Sequence, residues 1–204
     1  MKLLLKSLAL FLGLAIASPA LAFSDSCSDW DYDDVEWEAH VLFWKEATPA
    51  TIADCVQDMG FVMGFSVTDR DDDGSTPLHY AARWTDDPMV IMELLEAGAD
   101  VNTIDAEGST PLHIASSGQS NPDIINTLIM AGADIDARDM NGQTPLHRAA
   151  QNRYGKKGVL ALVEAGADGS LKEDYWDMTP FDYAKRSYGV DSEVYRVLSD
   201  ARFR

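Results

Sequence analysis

The chain has 204 residues, 46% hydrophobic and 25% charged, with 34 acidic against 16 basic side chains and a formal net charge of −18. That length suits one ordinary domain, and the apolar content excludes a wholly disordered chain. The charge spreads a negative field over the surface, which repels nucleic acid and anionic membranes and leaves cationic or neutral partners and divalent ions; solubility alone accounts for it equally well.

Residues 1–22 read as a secretory signal rather than as part of the fold. Lys2 and Lys6 open it, residues 8–16 are apolar, and Ala20-Leu21-Ala22 is a small-x-small cleavage site. Cleavage after Ala22 is expected, the alternative being an uncleaved anchor. No cysteine sits just past the apolar run to carry a lipid. The rest of the chain then lies in the periplasm or is secreted, with no membrane insertion after cleavage. The two cysteines, Cys27 and Cys55, fit such a compartment as one disulfide, worth about 3–4 kcal/mol in loop-entropy accounts; two free thiols are the alternative.

An acidic, aromatic stretch follows, with Trp30, Tyr32 and Trp37 among Asp25, Asp29, Asp31, Asp33 and Asp34. Helical spacing begins at Val35 and continues through Ala39, Leu42 and Phe43. Thr48-Pro49 starts a second helix carrying Ile52, Cys55, Val56 and Met59 on one face. Residues 35–70 thus look like one altered repeat unit, with the Trp30 and Trp37 region folding over its outer side.

From residue 71 the chain repeats itself. Gly74-Ser75-Thr76-Pro77-Leu78-His79 returns 34 residues later from Gly108 to His113, and again from Gly142 to His147. Ala97-Gly98-Ala99-Asp100 keeps the same step at Ala131-Gly132-Ala133-Asp134 and Ala165-Gly166-Ala167-Asp168. A decayed copy follows at Met178-Thr179-Pro180-Phe181-Asp182. In each unit Thr caps a helix and Pro takes its first position. Leu78, Ala81 and Ala82 make a narrow apolar face. A loop follows, then a second helix carrying Val90, Ile91, Leu94 and Leu95, or Ile124, Ile125, Leu128 and Ile129. That helix exits through Gly98 or Gly132. The third unit departs in its loop, where residues 152–158 lack Pro and carry three bases. The fourth loses its turn glycine, with Trp176-Asp177-Met178 before Thr179.

Several chemistries are tempting. His79, His113 and His147 recur at one position, but helices stacked about 8–10 Å apart hold equivalent side chains too far apart to share a zinc ion. A structural role is expected, each His bonding to its turn and its Thr. His40 has no evident partner. Asp69-Arg70-Asp71-Asp72-Asp73-Gly74 opens like a calcium loop, yet Tyr80 stands where that loop needs Glu. No nucleophile elbow, phosphate loop or Cys–His pairing occurs, so neither catalysis nor a cofactor is expected.

These phrases resemble the ankyrin-repeat family. The resemblance implies an all-α repeat solenoid of helix-turn-helix units with a β-hairpin/turn between them and capping units at both ends. The expected divisions are 1–22, an N-terminal acidic segment and cap at 23–70, repeats at 71–104, 105–138 and 139–172, and a C-terminal cap at 173–204. It also implies a non-enzymatic module, a monomer, that binds a protein on a concave face made of tips and first helices. The tip positions are Asp72, Asp73, Ser75, Ala106, Glu107, Ser109, Met140, Asn141 and Gln143. The first-helix candidates are Tyr80, Arg83, Trp84, Ile114, Ser117, Arg148, Gln151 and Asn152. Tyr80, Arg83 and Trp84 are of the types that dominate interface energetics; Trp84 otherwise covers the loop containing Pro88. Tyr175 and Trp176 either plug the last hairpin or extend the groove. The alternatives are a metal-dependent or enzyme-accessory envelope factor, such as one supporting oxidative-stress enzymes, and a small enzyme using the acidic turns. The sequence does not name the partner.

Overall fold

The computed structural model describes residues 45, 47–50, 66–118, 121–189 and 192–201. The signal segment, Cys27 and Cys55, the Trp30 and Trp37 stretch, His40 and most of the first helical pair lie outside the described residues.

From residue 77 the described chain forms eight helices of seven to nine residues: α1 (Pro77–Trp84), α2 (Pro88–Glu96), α3 (Pro111–Ser117), α4 (Pro122–Met130), α5 (Pro145–Gln151), α6 (Lys156–Glu164), α7 (Pro180–Ser187) and α8 (Glu193–Ala201). Isolated helices this short are marginal in water, so their stability comes from packing. They stack in two rows. The first helices α1, α3, α5 and α7 lie side by side, and the second helices α2, α4, α6 and α8 run behind them.

The first row starts the same way each time. Thr76, Thr110, Thr144 and Thr179 sit at N-caps in extended conformation, and Pro follows at the first helical position. Leu78, Leu112 and Leu146 are fully buried, with Ala81, Ala82, Ala115, Ala149 and Ala150 between them. Alanine lets neighbouring first helices approach closely while leucine supplies the apolar area. The second row buries Val90, Ile91 and Leu94, then Ile124, Ile125 and Leu128, then Val159 and Leu162. Each large aliphatic side chain so buried stabilises by about 1.5–3 kcal/mol. Second helices end as the spacing predicts. Ala97 caps α2, Gly98 takes φ +100°, and the Gly98 and Ala99 amides donate to the carbonyls of Leu95 and Leu94.

The β-hairpin expected between units is corrected by the structure: no strand occurs among the described residues. Neighbouring tips share a single backbone hydrogen bond, Ala106 N–H to Asp73 O at 2.8 Å, Met140 N–H to Glu107 O at 3.0 Å, and Asp174 N–H to Asn141 O at 2.9 Å. A ladder needs successive pairs of such bonds. Here an acidic side chain takes the amides that a ladder would use. Asp105 Oδ1 accepts from Glu107 N–H at 2.9 Å and Ser109 N–H at 2.8 Å. Asp139 Oδ1 does the same for Asn141 and Gln143. Each tip is therefore curled into turns around its own carboxylate.

The fourth tip is rebuilt with different residues for the same shape. Asp177 replaces the lost glycine and takes φ 59°, a left-handed conformation that Asp tolerates better than most residues. Glu173 replaces the tip aspartate and accepts from the amides of Tyr175, Trp176 and Met178. Burial alone would raise the Glu173 carboxyl, but these amide bonds outweigh it and hold it below its ordinary value.

Candidate functional site

The recurring histidines are the joints of the stack. The Thr76 amide donates to His79 Nδ1 at 3.1 Å, so that nitrogen carries no proton and Nε2–H donates onward to Ser109 O at 3.0 Å. His113 repeats this from Thr110 to Gln143 O, and His147 from Thr144 to Met178 O. Each of these three units is thus hydrogen-bonded to the turn of the next. All three rings are almost wholly buried. Burial pushes their pKa values down, more than the facing carbonyls and carboxylates push them up. Both ring nitrogens of His79, His113 and His147 are thus engaged with backbone groups of the protein itself. At the fourth position Asp182 accepts from Thr179 N–H at 3.0 Å and Thr179 O–H at 2.8 Å.

The first-helix candidates divide by what already holds them. Arg148 grips the buried Asp139 carboxylate, Nη2 at 2.6 Å and Nε at 3.0 Å from Oδ2. Tyr80, at the same register two units earlier, donates its hydroxyl to Asp71 Oδ2. Asn152 donates to Ser117 O at 2.8 Å and accepts from Tyr154 N–H at 2.9 Å, which pins the third loop to the second unit. Trp84 is half-buried against the core, with Lys45 Nζ 5.5 Å and the Arg83 guanidinium 5.6 Å from its ring centre. Such cation–π contacts contribute about 0.5–1 kcal/mol near the surface. Ile114 is half-buried and Arg83 is exposed. Gln151 Nε2 is the single buried side-chain polar atom lacking a hydrogen bond among the described residues.

The tips are more open. Asp72, Asp73, Ala106, Glu107, Met140 and Asn141 are exposed, Ser75 and Gln143 half-buried, and Ser109 buried. At the last tip Tyr175 is 77% and Trp176 65% exposed, packed edge to face at 4.9 Å, and Met140 on the preceding tip is 75% exposed. Large side chains this exposed beside an acidic rim are the least expected feature of the surface. Tyr80 and Trp84, by contrast, are already engaged, Tyr80 with Asp71 of its own tip and Trp84 with Lys45 and Arg83.

Two acids of the run at 69–74 bond to nearby backbone, while Asp72 and Asp73 are exposed. Asp69 Oδ2 accepts from Ser66 N–H, and Asp71 Oδ1 from Ser75 N–H. Among the described residues no three His, Cys, Asp or Glu side chains are gathered as metal ligands are, and no helix is long and apolar enough to cross a membrane.

Two rows of paired short helices, joined by Thr-capped starts and His bridges, define a helical repeat protein. Residues 51–139 match the family model "Ankyrin repeats (3 copies)" and residues 141–173 match "Ankyrin repeat". The chain belongs to the ankyrin-repeat family. No curated protein sequence matches it.

Proposed function

We propose that this chain is an exported recognition module that binds a protein partner through its tips and the first-helix row, without catalysing a reaction. The observation that carries this reading is the exposed Tyr175–Trp176 pair, with an exposed Met140 on the preceding tip. Aromatic side chains held rigid on a scaffold give large contact area at low entropic cost. Exposed Arg83 at the far end of the row adds a donor for a carboxylate or carbonyl. The surrounding acidic field steers a basic partner toward this face and repels nucleic acid. Tyr80, Arg148 and Asn152 shape the face from within.

Two outcomes are expected. Crosslinking in the protein's own cells followed by mass spectrometry should capture one dominant protein partner. The Arg83→Ala, Tyr175→Ala, Trp176→Ala variant should lose that capture with its melting temperature nearly unchanged; undiminished capture by the variant sinks this face. For export, the N-terminal sequence of the isolated protein should begin at Phe23. Recovery of the chain from the cytoplasm with residues 1–22 attached would refute it.

A further inference from the structure

The four tips form one row, each tied to the next by a backbone hydrogen bond. The 34-residue step brings Asp73, Glu107, Asn141 and Tyr175 into one line, and Asp72, Ala106, Met140 and Asp174 into a second. All of them are exposed. Along the row the chemistry changes. Carboxylates mark the first two tips, Met140 and Asn141 carry no charge, and the Tyr175–Trp176 pair stands at the last.

The two ends differ in what already holds them. Among the described residues no basic side chain pairs with Asp72 or Asp73, and Glu107 lies 3.9 Å from Arg148, which is committed to Asp139. Arg70 donates to the Gly74 and Ile104 carbonyls and to Thr103 Oγ1. Its charge offsets part of the first tip's without pairing to it. At the other end the acids are spent. Asp174 meets Arg138 at 2.7 Å, Asp177 meets Lys172, and Glu173 holds the amides of Tyr175, Trp176 and Met178. These contacts brace the loop that carries the two rings, so the rings are rigid anchors.

The row also has a step. Helices packed side by side lie about 8–10 Å apart, and the tips inherit that spacing. A polyproline II segment rises about 3.1 Å per residue with three residues per turn, so it advances about 9 Å per turn and points every third side chain the same way. One turn therefore spans one unit. A β-strand, with its two-residue alternation, falls out of step with the row.

We infer that the tip row takes an extended basic segment of a protein partner in polyproline II form. One large apolar side chain packs on Tyr175 and Trp176. Basic side chains about six and nine positions from it, two and three turns along, reach Glu107 and the Asp72–Asp73 pair. The inference rests on the tips being the binding face and adds the partner's charge, conformation and spacing. The unpaired acids supply complementarity, and the aromatic end sets the register. A segment preformed in this way loses little entropy on binding.

The test titrates fluorescein-labelled twelve-residue peptides with the full chain by anisotropy. The lead peptide has Leu at position 2, Arg at positions 8 and 11, and Pro elsewhere. Its reversed sequence is included, because either chain direction meets the pattern. Controls of the same composition bring each Arg two positions closer to Leu. The better lead should bind about tenfold or more tighter than its control, and added salt should weaken it. Asp72→Asn with Asp73→Asn, and separately Tyr175→Ala with Trp176→Ala, should each cost about tenfold or more in affinity. Asp72 and Asp73 are exposed, so their variant should melt as the parent does. No measurable binding, equal affinity for lead and control, or indifference to Asp72→Asn with Asp73→Asn would overturn the inference. The same variant enters the crosslinking capture. A partner lost with Tyr175 and Trp176 but fully captured by the Asp72→Asn, Asp73→Asn protein removes the basic segment and leaves the recognition module standing. A partner captured undiminished by both variants removes both.

Discussion

Acidifying the protein from pH 7.5 to 5.5 is expected to remove several kcal/mol of unfolding free energy, before most carboxylates begin to titrate. His79, His113 and His147 are each held neutral by burial, with Nδ1 accepting from a threonine amide. Their folded pKa values lie below the unfolded value of about 6.5. The unfolded chain therefore binds protons first as pH falls, and stability present above about pH 6.5 is lost below it. Each linked proton has a limiting slope of about 1.4 kcal/mol per pH unit, so three give up to about 4 kcal/mol per unit. Nearby carboxylates soften the effect: Asp105 and Asp71 face His79, Asp139 and Asp105 face His113, and Glu173 and Asp139 face His147. Relief of the chain's own negative repulsion acts in the opposite direction, chiefly at lower pH, where carboxylates protonate. Urea unfolding across this range reads the slope directly. His113→Gln should be less stable at pH 7.5 and show a shallower acid slope, because one of three linked protons is gone. Equal stability at pH 7.5 and 5.5 would show that the bridges do not constrain protonation.

Arg148→Ala should destabilise the fold by about 2–4 kcal/mol, although the residue sits on the face expected to meet a partner. Asp139 has a fully buried side chain and Arg148 one that is 24% exposed. Removing the guanidinium leaves a carboxylate in a low-dielectric site with two amides as its remaining partners. The figure sits toward the low end of measured buried-pair losses because Arg148 keeps some contact with water. Trp176→Ala, by contrast, should change stability by no more than about 0.5 kcal/mol. Thermal or urea melts of the two variants side by side check both expectations. An Arg148→Ala protein as stable as the parent would return Arg148 to the list of residues free to bind.

These two results bear on how much could be read from the residues alone. Helix starts, helix exits and the period were legible because each depends on neighbours in sequence: Thr before Pro, Gly after Ala. The altered fourth unit was signalled by decay of the repeated phrases, and the replacement of His by Asp182 is visible in that decay. A protruding turn suggests strand pairing, yet the tips curl around a carboxylate instead. The deciding signal was an aspartate recurring at 71, 105 and 139, a carboxylate placed to take the amides that a ladder requires. On the candidate face, Tyr80, Arg148 and Asn152 carry polar ends that look available on a helical wheel. Their partners, Asp71, Asp139 and Ser117, come from the tips or from another unit, so only the folded geometry shows them engaged.

The histidine bridges also have a direction. Each unit offers a donor, Nε2–H, and each following turn offers a carbonyl. Asp182 carries no ring N–H, and its Oδ2 accepts from the amide and hydroxyl of its own threonine. The last unit thus presents no bridging donor to anything placed after it. A further unit joined at the C-terminus would find no bridge, and a second molecule stacking there end to end would find none either. A duplicate of residues 105–138 inserted between its neighbours would find both halves of the joint waiting. By this bonding rule a unit is most readily added inside the array.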